Sequence, residues 1–548
     1  MCAGYKVERF AMTDWVNSIC SRSVALFLLV CMHANAIVYV SQNGDDSTGE
    51  SWATAFLSIG DALEAADSGE PIHIAQGNYI FGGSISLPVN ANIVGGFSGE
   101  AKGSPGESDP DKYSTVLNGD GTAGSIFVCS NVTGVVIEGL IFTGCIGEGS
   151  GYGKGGAVRV DSGADVNIVD CTFVDNVIDG YGGGVNVVEA NAEIEDCVFD
   201  SNSAQEGGGV KVHSGTASLR HCFFVKNKAN LIGGAFSGYN SNTEAINCIF
   251  LRNDGPYGGG AECHEGTRAA FVNCLFARNS ADEEGGAITL NQQSDCEIVN
   301  CTIANNSTKN TGGGIFLHDS VGTIANCIFT KNNSHAIFEN DADADPVVTN
   351  CLFDANPDGA YFNEGSQSIA NASGANSMNT ILAEAAGNLD GNPKFANPKA
   401  DDYHLTGKSP AIDAGVEAGA PDDDIDGDGR PIAFVKGLSA FDIGCDEYNP
   451  EATITVKRPR DGDKLERGDT VRILWASDGY TGSSVRIELL LNGEMVLLIT
   501  KSQPNSGNFE WTISDDVPAK KGYSIRITNA DDKRFKDESD GTFKIVKP

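Results

Sequence analysis

The chain of 548 residues has few cationic side chains, because 37 lysines and arginines stand against 74 aspartates and glutamates, a net charge of −37. A protein this acidic repels nucleic acid, anionic lipid and acidic polysaccharides unless cations bridge them. Long apolar runs are also missing, since the run at residues 24–32 is too short to span a bilayer. The sequence therefore predicts no nucleic-acid partner and no transmembrane span.

Familiar catalytic patterns are missing as well. We find no phosphate-binding loop and no Ser/His/Asp or Cys/His arrangement that spacing alone would support. The adjacent carboxylates Glu283 and Glu284 fit a solvated turn better than an acid/base pair. The sequence therefore gives no candidate catalytic residue.

What the chain does contain is a repeat. The pattern Cys-x-Phe/Ile-x-x-Asn occurs eight times, with successive cysteines 24 to 27 residues apart. A second phrase, Gly-Gly-(Ala/Gly)-apolar, is interleaved with it at Gly155, Gly182, Gly207, Gly233, Gly258, Gly285 and Gly312. A fixed period of this size indicates stacked supersecondary units, none of which can bury its apolar face alone.

The residues inside each unit favour strands, because segments such as 184–187 and 287–290 alternate apolar and polar side chains. The residue before each cysteine is Asn, Asp or His, the types that most readily adopt positive φ after glycine, so we expect a bend there. Two or three short strands per unit predict one coil of an all-β parallel solenoid. Its repeated residues would form buried Cys, Phe and Asn ladders.

The cysteines are predicted to be buried thiols. Thirteen of the 16 lie after residue 36, and an odd number cannot all pair. Stacked parallel strands also hold neighbouring Cβ atoms farther apart than the ~3.8 Å that a disulfide prefers. A ladder provides no tetrahedral cluster for a metal.

The interleaved phrases of residues 126–356 resemble those of the chlamydial polymorphic outer-membrane proteins and, more broadly, of the right-handed parallel β-helix family. The resemblance implies that fold and says little about function. Galacturonan hydrolases of this fold carry Asn-Thr-Asp, Asp-Asp and Gly-His-Gly signatures, which the coils here lack, and no arginine-rich strand face of the pectate-lyase kind is visible.

The chain divides into five predicted segments. Residues 1–36 fit a signal peptide, with basic residues, an apolar run and an Ala-x-Ala site. Residues 37–125 are predicted as an N-terminal cap, in which a helix over 58–66 would plug the open end of the core. Residues 126–400 form the β-helix, 401–450 a closing segment and 451–548 an immunoglobulin-like β-sandwich. The signal peptide predicts a secreted or cell-surface protein, and the segment 37–125, which resembles the opening of many secreted bacterial β-helix proteins, implies a bacterial one.

The closing segment contains Ser409-Pro-Ala-Ile-Asp-Ala-Gly415 and Phe441-Asp-Ile-Gly-Cys445-Asp446, and resembles the C-terminal segment of bacterial "choice-of-anchor Q" surface proteins. We expect it to close the far edge of the solenoid. Its acidic turn could bind Ca²⁺, because hard oxygen ligands at alternate positions suit that ion. The alternative is that the turn's carboxylates hydrogen-bond its own backbone. The candidate ligands are Asp422, Asp424, Asp426 and Asp428.

The last segment differs in charge, since residues 451–548 hold 16 basic and 16 acidic side chains. About seven short alternating strands separated by turn signals predict a β-sandwich. The Phe509-Glu-Trp511 strand and the surrounding pattern resemble the immunoglobulin-like module of the yeast cell-wall glucan-assembly proteins. That resemblance implies an accessory or wall-associated module.

One outward-facing stripe could carry recognition. Counting six residues from the first glycine of successive coils gives His213, Tyr239, His264, Asn291 and His318. Such a stripe could lie along a glycan chain, or it could consist of ordinary strand-end residues. The favoured hypothesis is a non-catalytic adhesin or carbohydrate- or wall-binding scaffold, whose partner is a polysaccharide, a cell-wall glycan or a host surface protein. The alternative is a polysaccharide lyase or glycoside hydrolase, and calcium is the only cofactor considered.

Overall fold

The structure is a computed structural model of the chain. It describes residues 37–100, 108–147, 154–341, 344, 346–363, 374–381, 385–417, 419–434, 441–449, 453–478, 481–482, 484–530 and 535–547. The predicted signal peptide therefore lies outside the described residues.

Counted over the described residues, the repeats form a parallel β-helix of four sheets, and the coils between residues 135 and 318 pass through all four in turn. Sheet 1 has thirteen strands: Val38–Val40, Pro71–Ala75, Asn92–Phe97, Val135–Glu138, Asp165–Val169, Asn191–Glu195, Thr216–Arg220, Asn242–Ile246, Arg268–Val272, Asp295–Val299, Val321–Ala325, Val347–Thr349 and Ala385–Ala386. Sheet 2 has twelve: Gly77–Ile80, Thr115–Asn118, Ile141–Thr143, Thr172–Val174, Val198–Asp200, Phe223–Val225, Ile249–Leu251, Leu275–Ala277, Thr302–Ala304, Ile328–Thr330, Leu352–Asp354 and Leu389–Asp390.

Sheet 3 is the shortest, with seven described strands: Ile146–Gly147, Val177–Ile178, Ser203–Glu206, Lys228–Ile232, Asp254–Tyr257, Ser280–Glu284 and Ser307–Thr308. Sheet 4 has eleven: Ile85–Ser86, Phe127–Ser130, Val158–Asp161, Val185–Val188, Val210–His213, Phe236–Tyr239, Ala261–His264, Ile288–Asn291, Ile315–His318, Ile337–Glu339 and Tyr361–Phe362. Equivalent residues of successive coils pair in register, as Phe199 with Phe224 and Phe224 with Phe250.

The bend between sheets 1 and 2 is where the sequence placed it. The residue before each of the eight repeat cysteines has a φ between 48° and 56°. A second bend lies between sheets 2 and 3. It lies at the residue before each repeat asparagine, where φ is 52° to 57° even for Lys226 and Arg252. The asparagine ladder holds this second turn, because each side chain bonds the carbonyl of the coil before it, as Asn253 Nδ2 does to Phe224 O at 3.0 Å.

The predicted ladders are confirmed. From Phe142 to Phe276 the stacked phenylalanine rings lie 4.4 to 4.9 Å apart between centroids. Asparagine side chains bond one another from coil to coil, Asn227 to Asn253 at 3.0 Å and Asn253 to Asn279 at 3.0 Å. The thirteen cysteines of the described residues are all buried and free of disulfides. Cys, Phe and the apolar residues of sheets 1 and 4 form one continuous core.

Helices close both ends of this core. Helix α1 (Ile59–Ala65) begins at Ser58, whose hydroxyl accepts the Asp61 N–H at 3.1 Å, and buries Ile59 and Ala62 against the first coil as predicted. Helix α2 (Gly374–Ile381) buries Ala375 and Met378 against the last coils, and no pattern in the sequence had indicated it. Neither these two helices nor the 3₁₀ turn Pro398–Ala400, the helical segments of the described chain, could span a membrane.

The closing segment does not close the far edge, so that prediction is wrong. It lies along the outer face of sheet 2, where Tyr403, Ile425 and Cys445 pack on apolar side chains such as Ile249 and Leu275. The carboxylate of Asp401, at the start of the segment, forms ion pairs with Arg252 at 2.6 Å and with Arg278 at 2.5 Å. A two-stranded antiparallel sheet, Phe395–Asn397 with Asp402–Leu405, belongs to this layer. The apolar surface that the segment covers determines its position, and the strand edges at the end of the solenoid do not.

The last segment folds as two antiparallel sheets, as predicted. One contains Thr453–Arg458, Thr470–Asp478 and Asn508–Thr512. The other contains Lys464–Glu466, Phe543–Val546, Lys521–Asn529, Ser484–Leu491 and Glu494–Pro504, with Lys536–Glu538 paired to Lys521–Asn529. Trp475, Ile487, Trp511 and Tyr523 form its core. The strand Glu494–Pro504 was not predicted.

Candidate functional site on sheet 4

The predicted stripe lies on adjacent strands of sheet 4. His213 pairs in register with Tyr239, Tyr239 with His264, and Asn291 with His318. The residues one and three before His213, Val212 and Val210, are fully buried in the core, so the alternation that places the stripe outside is confirmed. Whether the stripe binds a ligand stays a prediction.

Three of the five stripe residues form a stack. The rings of His213 and Tyr239 are stacked with centroids 4.5 Å apart, and His264 meets Tyr239 edge-on at 4.8 Å. All three are partly exposed, and Asn291 and His318 continue the line over the next two coils. The stack offers a flat aromatic surface with polar ring atoms, which suits the apolar faces and hydroxyls of sugars.

A row of buried polar residues lies beside the stripe and was not predicted. Its members occupy the outward position two residues before the first four stripe residues, yet they are buried: Lys211, Ser237, Glu262 and Thr289. The glycine turn brings the end of sheet 3 back over them, so that Glu206 reaches Lys211 at 2.7 Å. Lys211 also donates to Ser237 Oγ at 2.9 Å, and Glu262 lies 3.7 Å from His264 Nε2.

Burial sets the protonation of this row. It raises the pKa of Glu262 to about 8, with Lys211 acting in the opposite direction. Burial also lowers the pKa of Lys211, although Glu206 opposes the shift. The pKa of His264 falls to about 3, through burial first and through Lys211 second. At neutral pH, therefore, His264 is uncharged and Glu262 is largely protonated.

The raised pKa of Glu262 predicts a dependence of stability on pH. Between about pH 4.5 and about pH 8 the folded chain keeps a proton on Glu262 that the unfolded chain has lost, so the unfolding free energy falls as pH rises. The slope from this group is at most about 1.4 kcal/mol per pH unit. Glu262→Gln should flatten it in urea unfolding measured across that range. Glu193→Gln, at an exposed glutamate of sheet 1, should leave the curve unchanged, and a Glu262→Gln curve parallel to that of the original chain would contradict the assignment.

Two polar atoms of the stripe are buried, although the stripe itself is partly exposed. His264 Nε2 and Asn291 Oδ1 are buried, and neither forms a hydrogen bond to a described residue. Buried polar atoms are almost always paired with protein, water or ligand. Next to the stripe, the turns between sheets 4 and 1 line a cavity of about 630 Å³. The cavity is lined mainly by polar side chains, among them Glu189, Ser214, Thr216, Asn240, Asn242 and Arg268.

The acidic turn of the closing segment is built around Asp424. Its Oδ1 accepts the N–H groups of Asp426 and Asp428 at 2.9 and 2.8 Å, and Oδ2 accepts that of Glu447 at 2.9 Å. Asp424 is fully buried, whereas Asp422 is exposed. Calcium binding by Asp422, Asp424, Asp426 and Asp428 stays a prediction, and the contacts of Asp424 match the alternative of a turn bonded to its own backbone.

Comparisons with known proteins agree with this architecture. Residues 156–308, 233–353 and 286–381 match the family described as "Right handed beta helix region". Residues 458–545 match the "Kre9/KNH-like N-terminal Ig-like domain". The chain thus combines a right-handed parallel β-helix with an immunoglobulin-like domain, the predicted fold class. The finer resemblances to polymorphic outer-membrane and choice-of-anchor Q proteins stay predictions.

Among solved structures, the chain is similar to one titled "Crystal structure of pectate lyase Pel9A". The identity is 15%, the match covers 75% of this chain and 96% of that one, and the TM-score is 0.38. No curated protein gave a significant match.

Proposed function

We propose that the chain is an extracellular, non-catalytic β-helix protein that binds a polysaccharide along the outer face of sheet 4. The observation that carries the proposal is the stack of His213, Tyr239 and His264 beside a polar cavity. The rings supply stacking area at low conformational cost. An open face repeated from coil to coil suits an extended chain better than a small molecule.

The charges favour an uncharged glycan. In the cavity Glu189 and Arg268 have opposite signs, and Lys211 is already paired with Glu206. The excess of acidic over basic residues lies entirely before residue 451, that is, outside the immunoglobulin-like domain. A polyuronate would meet this field without enough cations to neutralise it. We therefore expect neutral polysaccharides to bind better than acidic ones.

Binding should depend on Tyr239. Tyr239→Ala removes the middle of the stack, and we expect the affinity of the full chain for its glycan to fall about tenfold or more, ~1.4 kcal/mol. Isothermal titration or affinity electrophoresis against a panel of neutral, amino-sugar and acidic polysaccharides measures this. Tyr113→Ala, at a partly exposed tyrosine of the N-terminal cap, is the matched control and should leave affinity unchanged. Equal losses for both variants, or no binding by the original chain, would overturn the proposal.

Glycan cleavage at the same face is the second candidate, favoured by one observation. Glu206 is ion-paired with Lys211, whereas Glu262 is largely protonated at neutral pH, and two carboxyls in different states can divide base and acid roles. Binding is preferred because only 2% of the Glu262 side chain is exposed. Reducing-sugar or unsaturated-product release that Glu262→Gln abolishes would favour cleavage instead.

A further inference from the structure

A second cluster of side chains, remote from sheet 4, lies inside the closing segment. It joins three stretches of the sequence: His404 on the strand Asp402–Leu405, Asp426 in the acidic turn, and Asp446 after Cys445. One ligand atom from each lies within 4.8 Å of the other two. Unlike the four aspartates of the turn, this set mixes an imidazole with carboxylates.

The imidazole is held in a fixed orientation. Its Nδ1 lies 2.7 Å from Asp402 Oδ1, and the ring is almost fully buried. The other nitrogen, Nε2, therefore faces Asp426 Oδ2 at 2.7 Å. A carboxylate on one ring nitrogen that directs the other toward a shared point is the usual arrangement around a metal-binding histidine.

A separate observation concerns Asp426. Its Oδ2 is buried and lies 2.7 Å from His404 Nε2, so the two candidate ligand atoms already face each other. A buried carboxylate oxygen in that position is normally satisfied by a donor or a cation, and the imidazole and a metal ion would compete for that place. Asp446, by contrast, is fixed in place through the Leu405 N–H, which Oδ2 accepts at 2.6 Å.

The negative charge of the carboxylates around His404 also favours the binding of a cation. Asp402 and Asp446 are buried beside His404, and the buried Arg430 acts electrostatically on Asp446 and on the neighbouring Asp424. Uncompensated buried carboxylates are costly unless they are paired or coordinate a metal. Of these residues, Asp402 and Asp446 line a cavity of about 440 Å³ between the closing segment and the immunoglobulin-like domain, whereas His404 and Asp426 lie behind its lining.

We propose that His404 Nε2 and the carboxylates of Asp426 and Asp446 bind one divalent transition-metal ion of the Zn²⁺ type, with Asp402 orienting the imidazole. A nitrogen ligand favours such an ion over Ca²⁺, which takes oxygen ligands. The ion would tie the strand, the acidic turn and the segment around Asp446 together on the outer face of sheet 2. The site is independent of the glycan-binding proposal.

The test uses the untagged full chain after chelation and dialysis, titrated with Zn²⁺ alone. We expect saturation at one equivalent, a higher melting temperature, and loss of this binding in His404→Ala. Asp402→Asn should weaken affinity by about tenfold to hundredfold, the usual effect of removing such an orienting partner. Asp422→Asn, in the exposed part of the acidic turn, is the control and should bind Zn²⁺ unchanged.

Three outcomes would overturn the proposal: no saturable binding by the original chain, unaltered binding in His404→Ala, or loss of binding only in Asp422→Asn. Because His404→Ala could disturb folding, Co²⁺ provides a second measurement on the original chain. Paramagnetically shifted imidazole resonances should appear with one equivalent of Co²⁺. A Co²⁺ complex whose ligands are all oxygens would contradict the assignment.

Discussion

Phe250→Ala should destabilise the folded chain by about 3–5 kcal/mol, the usual cost of truncating a fully buried aromatic ring. Phe250 lies in the middle of the ladder, between Phe224 at 4.8 Å and Phe276 at 4.4 Å, and Phe271 approaches its edge at 6.1 Å. Strands on both sides fix the spacing of the coils, so the walls cannot collapse into the cavity. The loss therefore includes the transfer free energy and most of the cavity cost.

Equilibrium unfolding in urea of the full chain measures this effect. Tyr257→Ala is the control, because Tyr257 is exposed at the end of a strand of sheet 3 and its removal should change stability by only about 0.5 kcal/mol. A Phe250→Ala loss below about 1 kcal/mol would mean that the ladder packs loosely.

Lys211→Met should be comparably damaging, by about 3–5 kcal/mol, for an electrostatic reason. Lys211 is completely buried and holds Glu206 at 2.7 Å and Ser237 at 2.9 Å. Its removal leaves the Glu206 carboxylate without its cation in a site that water barely reaches. The variant should therefore unfold at much lower urea than the original chain.

A second substitution separates charge from packing. The double variant Lys211→Met/Glu206→Gln should recover most of the loss, because no unpaired charge then stays buried. Lys228→Met is the matched control: Lys228 contacts Asp254 at 2.9 Å, but both side chains are about half exposed, so at most ~1 kcal/mol is expected. If the double variant were as unstable as Lys211→Met alone, the buried pair would not be the cause.

The solenoid itself could be predicted in detail, because every coil repeats the same chemistry. The asparagine, aspartate or histidine before each cysteine specified a bend, and the structure has a positive φ at all eight positions. The spacing of six from each first glycine likewise located the stripe on sheet 4. Each local pattern is weak by itself, but it occurs in eight coils, and this repetition made the prediction possible.

The position of the closing segment could not be read from its own residues. The feature that indicates where the segment lies is the residue between the cysteine and the phenylalanine or isoleucine of each repeat. That residue points outward from sheet 2, and it is apolar at Phe223, Ile249, Leu275, Ile328 and Leu352. An apolar outward row requires a cover, and the described residues between 395 and 448 provide it.

The burial of the polar row beside the stripe could not be predicted for a different reason. Strand alternation correctly placed Lys211 and Glu262 outside the core, and outside usually means solvated. The glycine turn folds the end of sheet 3 back over them, a contact between residues of two sheets that no single strand pattern encodes. His404 is similar, since its partners Asp426 and Asp446 are distant in sequence and meet only in the folded layer.

A crystal structure of the full chain with a neutral oligosaccharide identified by the binding panel would test the central claim most directly. We predict sugar rings along sheet 4, against His213, Tyr239 and His264. An oligosaccharide bound on another face of the solenoid, or solely on the immunoglobulin-like domain, would contradict the account.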